Sequence, residues 1–236
     1  MKTYLLLFSF IFSLTTFAQK PNPDFIIEKV KSKFAEVKDY QVDVKIEVDV
    51  DFLKVPVTEA KIFFKQPDKI KFNSDGFALL PKEGLNFSPL TVLQGDYTSI
   101  FEKEEELNGI KVYVIKIIPL GGSKEVILST LWIDKKDFII RKVESTTKMN
   151  GTFTIDLKYD SKNIKYSLPS SLIFSFDISR TNIPKGLTGS HTEEEEKPKR
   201  GKDKPKIAKG LVTITYTNYI INKGISDSIF EESKKK

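Results

Sequence analysis

Cysteine is absent from all 236 residues, and histidine and tryptophan occur once each. Without thiols there can be no disulfide framework, no thiolate metal site and no cysteine nucleophile. The single histidine, His191, lies in a charged stretch and reads as a solvated loop residue rather than a general base or metal ligand. Neither a phosphate-binding glycine loop nor a G-x-S-x-G nucleophile elbow is present. Carboxylates are plentiful, but Asp43, Glu47 and Asp49 alternate along a strand pattern, and Glu104-Glu105-Glu106 reads as a surface run before a turn. Nothing in their spacing selects a catalytic pair. After the first residues, no segment approaches the roughly 18 apolar residues of a membrane span. The expectation is a protein that is not an enzyme, with no catalytic residue, cofactor or metal.

The amino terminus carries an export signal. Lys2 precedes an apolar stretch from Tyr4 to Leu14, and the small residues Thr16 and Ala18 suit a signal peptidase site. Residues 1–18 are expected as a signal peptide cleaved after Ala18, and residues 19–236 as one domain. Gln19 stands where a bacterial lipoprotein would need its acylated cysteine, so the mature chain is expected to be soluble in the periplasm. Net charge is +6, or +5 once Lys2 is removed. That excess is modest, allows transient contact with anionic membranes, and together with export speaks against nucleic acid as a partner.

What is present is mostly β pattern. Asn22 and Pro23 open a helix of about four turns with Ile26, Ile27, Val30, Phe34 and Val37 on one face. From Val42 to Val50 the alternation is unbroken: Val42, Val44, Ile46, Val48 and Val50 on one side, Asp43, Lys45, Glu47 and Asp49 on the other. Further strands are expected at Ala60–Lys65, Ile70–Ser74, Ser99–Phe101, Val112–Ile118, Val126–Ile133, Phe138–Ser145, Thr152–Tyr159, Ser171–Ile178 and Leu211–Ile221. Gln66-Pro67-Asp68-Lys69, Asn108-Gly109, Gly121-Gly122, Asp134–Asp137 and Asn150-Gly151 punctuate them. About ten strands and one helix predict a large antiparallel sheet that must curl to bury a face.

Two segments interrupt the rhythm. Phe77 to Leu93 is apolar but carries Pro81, Gly84 and Pro89, so it is neither a strand nor a long helix and reads as a lid. Residues 184–210 hold Glu193–Glu196 followed by a run of lysines and prolines, and read as a solvated, flexible loop. A sheet this large under one helix leaves an apolar concavity of the kind that holds ligands. Its expected lining is Val44, Ile46, Val48, Phe72 and Trp132, closed by the lid residues Phe77, Leu79, Leu80, Leu85 and Phe87. For Trp132, Val44, Ile46, Val48, Phe72 and Ile155 the alternatives are a packed core and a cavity wall.

The order of these parts resembles a known family. An amphipathic helix ending near Lys38-Asp39-Tyr40 is followed by the alternating strand. Next comes the hairpin Ala60-Lys61-Ile62-Phe63-Phe64-Lys65-Gln66-Pro67-Asp68-Lys69-Ile70-Lys71-Phe72, and later Leu131-Trp132-Ile133-Asp134. Together they look like the outer-membrane lipoprotein carrier and sorting proteins, the LolA/LolB-like family. The resemblance implies a mainly β (α+β) fold, a curved antiparallel sheet forming an unclosed half-barrel plugged by helix. It implies a monomeric periplasmic carrier of lipid or acylated lipoprotein. Inner- or outer-membrane lipoprotein-sorting proteins are the implied partners. The alternative on the same fold is an envelope-stress sensor or protein-interaction module. The charged insertion departs from the family pattern, and Arg141 is the one arginine in a strand, with no partner that the sequence names.

Overall fold

The structure is a computed structural model that describes residues 20–50, 53–74, 89–121, 125–148, 151–179 and 207–231. Helix α1 (Pro23–Ala35) starts where the sequence places it. Asn22 Oδ1 accepts from the backbone N–H of Asp24 at 2.9 Å and of Phe25 at 3.4 Å, and Pro23 needs no such partner. The helix stops at Ala35, so Val37 is not on its face; it is buried just beyond. Gln66 Nε2 reaches over from the Gln-Pro-Asp-Lys hairpin and donates to the carbonyls of Ala35 (3.1 Å) and Val37 (2.7 Å), filling acceptors that the helix end leaves open.

Eleven strands follow: β1 (Asp39–Val50), β2 (Leu53–Lys54), β3 (Thr58–Lys65), β4 (Lys69–Asn73), β5 (Tyr97–Leu107), β6 (Ile110–Pro119), β7 (Val126–Asp134), β8 (Ile140–Thr147), β9 (Thr152–Lys158), β10 (Ser171–Ser179) and β11 (Ile207–Ile221). Ten of them form one antiparallel path in the order β4-β3-β1-β11-β10-β9-β8-β7-β6-β5, with the two-residue β2 added beside β1. The terminal strands β4 and β5 do not pair with each other. The sheet is therefore an unclosed half-barrel, as expected. Strands β5 to β10 form a simple meander, whereas β1 sits between β3 and β11.

Several boundaries differ from the sequence reading, three of them with structural consequences. Strand β5 runs for 11 residues and takes in Glu104-Glu105-Glu106, which the sequence suggests as a surface run. As an edge strand it bears charge on an exposed end and a bulge between Phe101 and Lys103, both of which discourage pairing with another chain. Strand β11 begins at Ile207, so residues 207–210 belong to the sheet and not to the charged loop. Phe138 lies in the β7–β8 turn with φ of 49°, and β8 starts at Ile140. The Asn108-Gly109 turn has positive φ at both residues (52° and 81°), the geometry a two-residue hairpin demands.

Helix α1 lies along the concave face. Its Ile26, Ile27 and Val30 are buried in one apolar core cluster with inward residues of several strands, among them Val42, Val44, Ile115, Leu131, Val143, Ile155, Leu172 and Ile214. Each such aliphatic side chain contributes about 1.5–3 kcal/mol. Polar ties fix the helix in place: Lys31 Nζ donates to Tyr97 Oη at 2.8 Å, Lys33 Nζ to the carbonyl of Asp137, and Ser99 Oγ to Asp24. At its far end Asn222 joins helix to sheet. Its Oδ1 accepts from Lys38 N (2.7 Å) and its Nδ2 donates to the Glu36 carbonyl (2.9 Å). No helix among the described residues is long and apolar enough to cross a membrane.

Candidate ligand-binding concavity

The inward face of the sheet is not covered evenly. Where α1 ends, a second cluster seals the barrel: Val37, Phe64 and Leu168, ringed by Phe34, Tyr40, Tyr166, Tyr219 and Ile221. The rings of Tyr40 and Phe64 stack at 5.1 Å, Phe34 meets Phe64 at 5.7 Å, and Tyr40 meets Tyr219 edge-on at 5.7 Å. This is the closed end.

Elsewhere several inward residues are only half-buried. Val48 on β1, Phe153 on β9, and Phe174 and Phe176 on β10 lie toward the opposite end, whereas Ala60 and Ile62 on β3 and Phe72 on β4 lie along the open edge of the sheet, level with Val44 and Val42. The registers Ile62↔Phe72, Phe174↔Ile155 and Phe176↔Phe153 hold them on one face. Phe174 stacks on Phe176 at 4.9 Å and tilts against Phe153 at 5.3 Å. Near β5, Leu90, Val92 and Leu93 of a 3-10 turn (Pro89–Leu93) also join the core cluster. The concavity thus has a sealed floor, with half-buried apolar residues at its mouth around Phe174 and Phe176 and along the β3–β4 edge.

Of the residues singled out in the sequence, Val44 and Ile46 lie in the sealed part, and Val48 and Phe72 in the half-buried part. Phe77, Leu79, Leu80, Leu85 and Phe87 lie outside the described residues, as do the signal segment and His191. Trp132, expected in the lining, stands instead on the other face of the sheet. Its neighbours Leu131 and Ile133 point inward and are fully buried, so alternation turns Trp132 outward. There its indole N–H donates to Glu105, and Lys142 Nζ sits 4.7 Å from its ring centroid. Ile155 is core, at 2 % exposure. The residues that the sequence reading passed over are Phe153, Phe174 and Phe176. The spacing of Leu172, Phe174 and Phe176 along a recognised strand carries their signal.

Four tyrosines line the deep part of the barrel. Burial pushes the Tyr40 phenol up to about 12, and the same cause raises Tyr159, Tyr216 and Tyr219. All four are therefore neutral donors at ordinary pH. Tyr159 Oη donates to the Ile140 carbonyl at 2.8 Å and Tyr219 Oη to the Pro169 carbonyl at 2.9 Å. Arg141 lies 5.3 Å from the Tyr159 ring and is held by Asp134, its Nη2 2.8 Å from Oδ2. Burial opposes ionisation of Asp134, but Arg141 and the backbone N–H groups of Lys136 and Asp137 outweigh it and keep the carboxyl below its usual range.

A separate open groove of about 480 Å³ lies between the start of α1 and β5. It is lined by Asp24, Glu28, Lys31, Gly95, Asp96, Tyr97 and Leu120. Its charged lining is unsuited to acyl chains.

The same fold occurs in solved structures. A DUF1329 family protein from Desulfovibrio piger ATCC 29098 superimposes with a TM-score of 0.59 at 14% identity, over 89% of this chain and 95% of that one. The LolA superfamily protein NE2245 from Nitrosomonas europaea gives 0.55 at 12% identity, over 90% and 98%. A domain assigned to outer membrane lipoprotein sorting, from Vibrio parahaemolyticus, gives 0.50 at 12% identity, over 89% and 97%. At such identities the likeness establishes the fold alone: an unclosed half-barrel like those of these structures, over nearly the whole of each. No family model matches the sequence, and no curated protein matches it.

Proposed function

We propose that this protein is an exported, periplasmic, non-enzymatic carrier that holds the acyl chains of a lipid or an acylated lipoprotein in its concave face. The observation that carries this reading is the half-buried apolar wall of Val48, Ile62, Phe72, Phe153, Phe174 and Phe176, continuous with a sealed core. Soluble proteins seldom leave so many large inward side chains partly wet without an occupant. Each buried methylene supplies about 0.8 kcal/mol. A long chain thus gains enough to offset the cost of association and still leave reversibly. The fold shared with a lipoprotein-sorting domain supports a place in outer-membrane lipoprotein sorting, with transient contact to sorting proteins of either membrane.

Lipid extraction and mass spectrometry of the mature protein, purified gently from the envelope of its own bacterium, test the proposal. Stoichiometric lipid or acylated protein is the expected result. A protein that is clean and also ignores added acyl probes would show that the interior is simply packed, and would overturn the reading.

A further inference from the structure

Tyr40 and Tyr216 present two hydroxyls that no other described residue uses. Both side chains are on the inward face: Tyr40 pairs with Phe64 across β1–β3, and Tyr216 pairs with the buried Val44 across β1–β11. Their neighbours Tyr159 and Tyr219 each donate to a backbone carbonyl, but neither Tyr40 Oη nor Tyr216 Oη has a hydrogen-bond partner among the described residues. Among those residues Ser167 Oγ is the one fully sealed side-chain polar atom without a partner, so the two phenol oxygens keep accessible surface. Yet both rings are deep enough for burial to raise their phenols strongly. Deep placement combined with open surface means that the hydroxyls face the interior of the barrel. The rings themselves are well anchored: Tyr40 against Phe64 and Tyr219, and Tyr216 against Tyr219 at 6.1 Å.

We infer that Tyr40 and Tyr216 form a polar floor to the apolar concavity, donating hydrogen bonds to the neutral carbonyl oxygen of an acyl ester. This deepens the carrier reading and rests on it. Two fixed donors in an apolar chamber select a ligand that brings an acceptor, because such a pair is left unsatisfied by a bare hydrocarbon. A carboxylate is a poorer fit. The Arg141 guanidinium over Tyr159 is already held by Asp134, so it offers a buried anion no free counter-charge. The preferred class is therefore the ester end of a neutral acylglycerol.

The test compares three probes on the full mature chain: monopalmitoylglycerol, palmitic acid and hexadecane, by calorimetry at neutral pH. The wild type is expected to prefer the ester to both others. Tyr40→Phe and Tyr216→Phe keep the ring contacts and remove only the hydroxyls. Each should weaken ester binding about fivefold and leave hexadecane binding unchanged. As a second readout, the infrared carbonyl stretch of bound ¹³C-labelled ester should lie lower in the wild type than in the double variant. Ester affinity and carbonyl frequency that ignore both substitutions, or palmitic acid binding more tightly than the ester, would overturn the polar floor while leaving the carrier intact. A wild type that binds none of the three probes would overturn both.

Discussion

Arg141 Nη2 lies 2.8 Å from Asp134 Oδ2, and the same carboxylate accepts from the N–H groups of Lys136 and Asp137 at 2.8 and 3.1 Å. One side chain therefore shapes the β7–β8 turn and neutralises a cation beside the deep tyrosines. The Asp134 side chain is only 5% exposed, so this is a largely desolvated pair. Asp134→Ala strands the guanidinium and frees two backbone donors. It should cost about 3–5 kcal/mol in urea unfolding.

The same contact fixes a pH dependence. The folded carboxyl titrates below its unfolded value of 3.8, so the folded state binds the proton less well. Its stabilisation is complete above that value and is lost as pH falls through the lower, folded one. The difference in Tm between wild type and Asp134→Asn should be constant from neutrality down to about pH 5 and shrink below about pH 4. A gap that is unchanged at pH 2 would show that ionisation of Asp134 contributes nothing.

Asn222 offers a second lever. It sits at φ of 56°, where asparagine is tolerated better than most residues, and its amide bridges Lys38 N and the Glu36 carbonyl. Asn222→Ala removes both bonds and adds backbone strain. A loss of about 2–3 kcal/mol is expected. Asn222→Gly relieves the strain alone and should recover roughly 1 kcal/mol of it, measured by the same unfolding curve.

The single tryptophan is a negative control for occupancy. Trp132 faces outward between Glu105 and Lys142. Its emission maximum should stay constant when an acyl probe saturates the barrel, and should move on Lys142→Ala. A ligand-dependent shift would place the ligand against the outer face of β7.

Phe174 and Phe176 report on the wall. Phe176→Asp places a carboxylate at the half-buried mouth and not in the sealed core. It should weaken an acyl probe at least tenfold, while Tm drops by only a few degrees, about 1 kcal/mol in a domain of this size. Equal affinity in wild type and variant would remove β10 from the site.

Some of this was open to reading from the residues and some was not. Strand β1 and helix α1 are legible because each has one wet and one dry face, and Asn22-Pro23 marks the helix start. Strand β5 hides, since an edge strand with Glu104, Glu105 and Glu106 lacks the alternation that a buried face imposes. Trp132 is ambiguous for the opposite reason: Leu131, Trp132 and Ile133 are all apolar, so period two has no phase. Only the pairing of Leu131 with Ile115 and Val143 chooses the inward side. Phe174 and Phe176 stand in a strand whose existence is plain, but whether such residues are sealed or half-wet depends on how far α1 reaches over the concave face. No local pattern encodes that.

The placement of β1 between β3 and β11 also sets an order of events. Strands β5 to β10 pair with neighbours along the chain and can form as they emerge. Val44 must wait for Tyr216, and Val48 for Val212, near the other end of the molecule. Until that last strand arrives, β1, β3 and β4 have no seam joining them to the meander. The chamber is therefore completed in a single late step. A chain shortened by its final strand would have two sheet fragments and no interior at all.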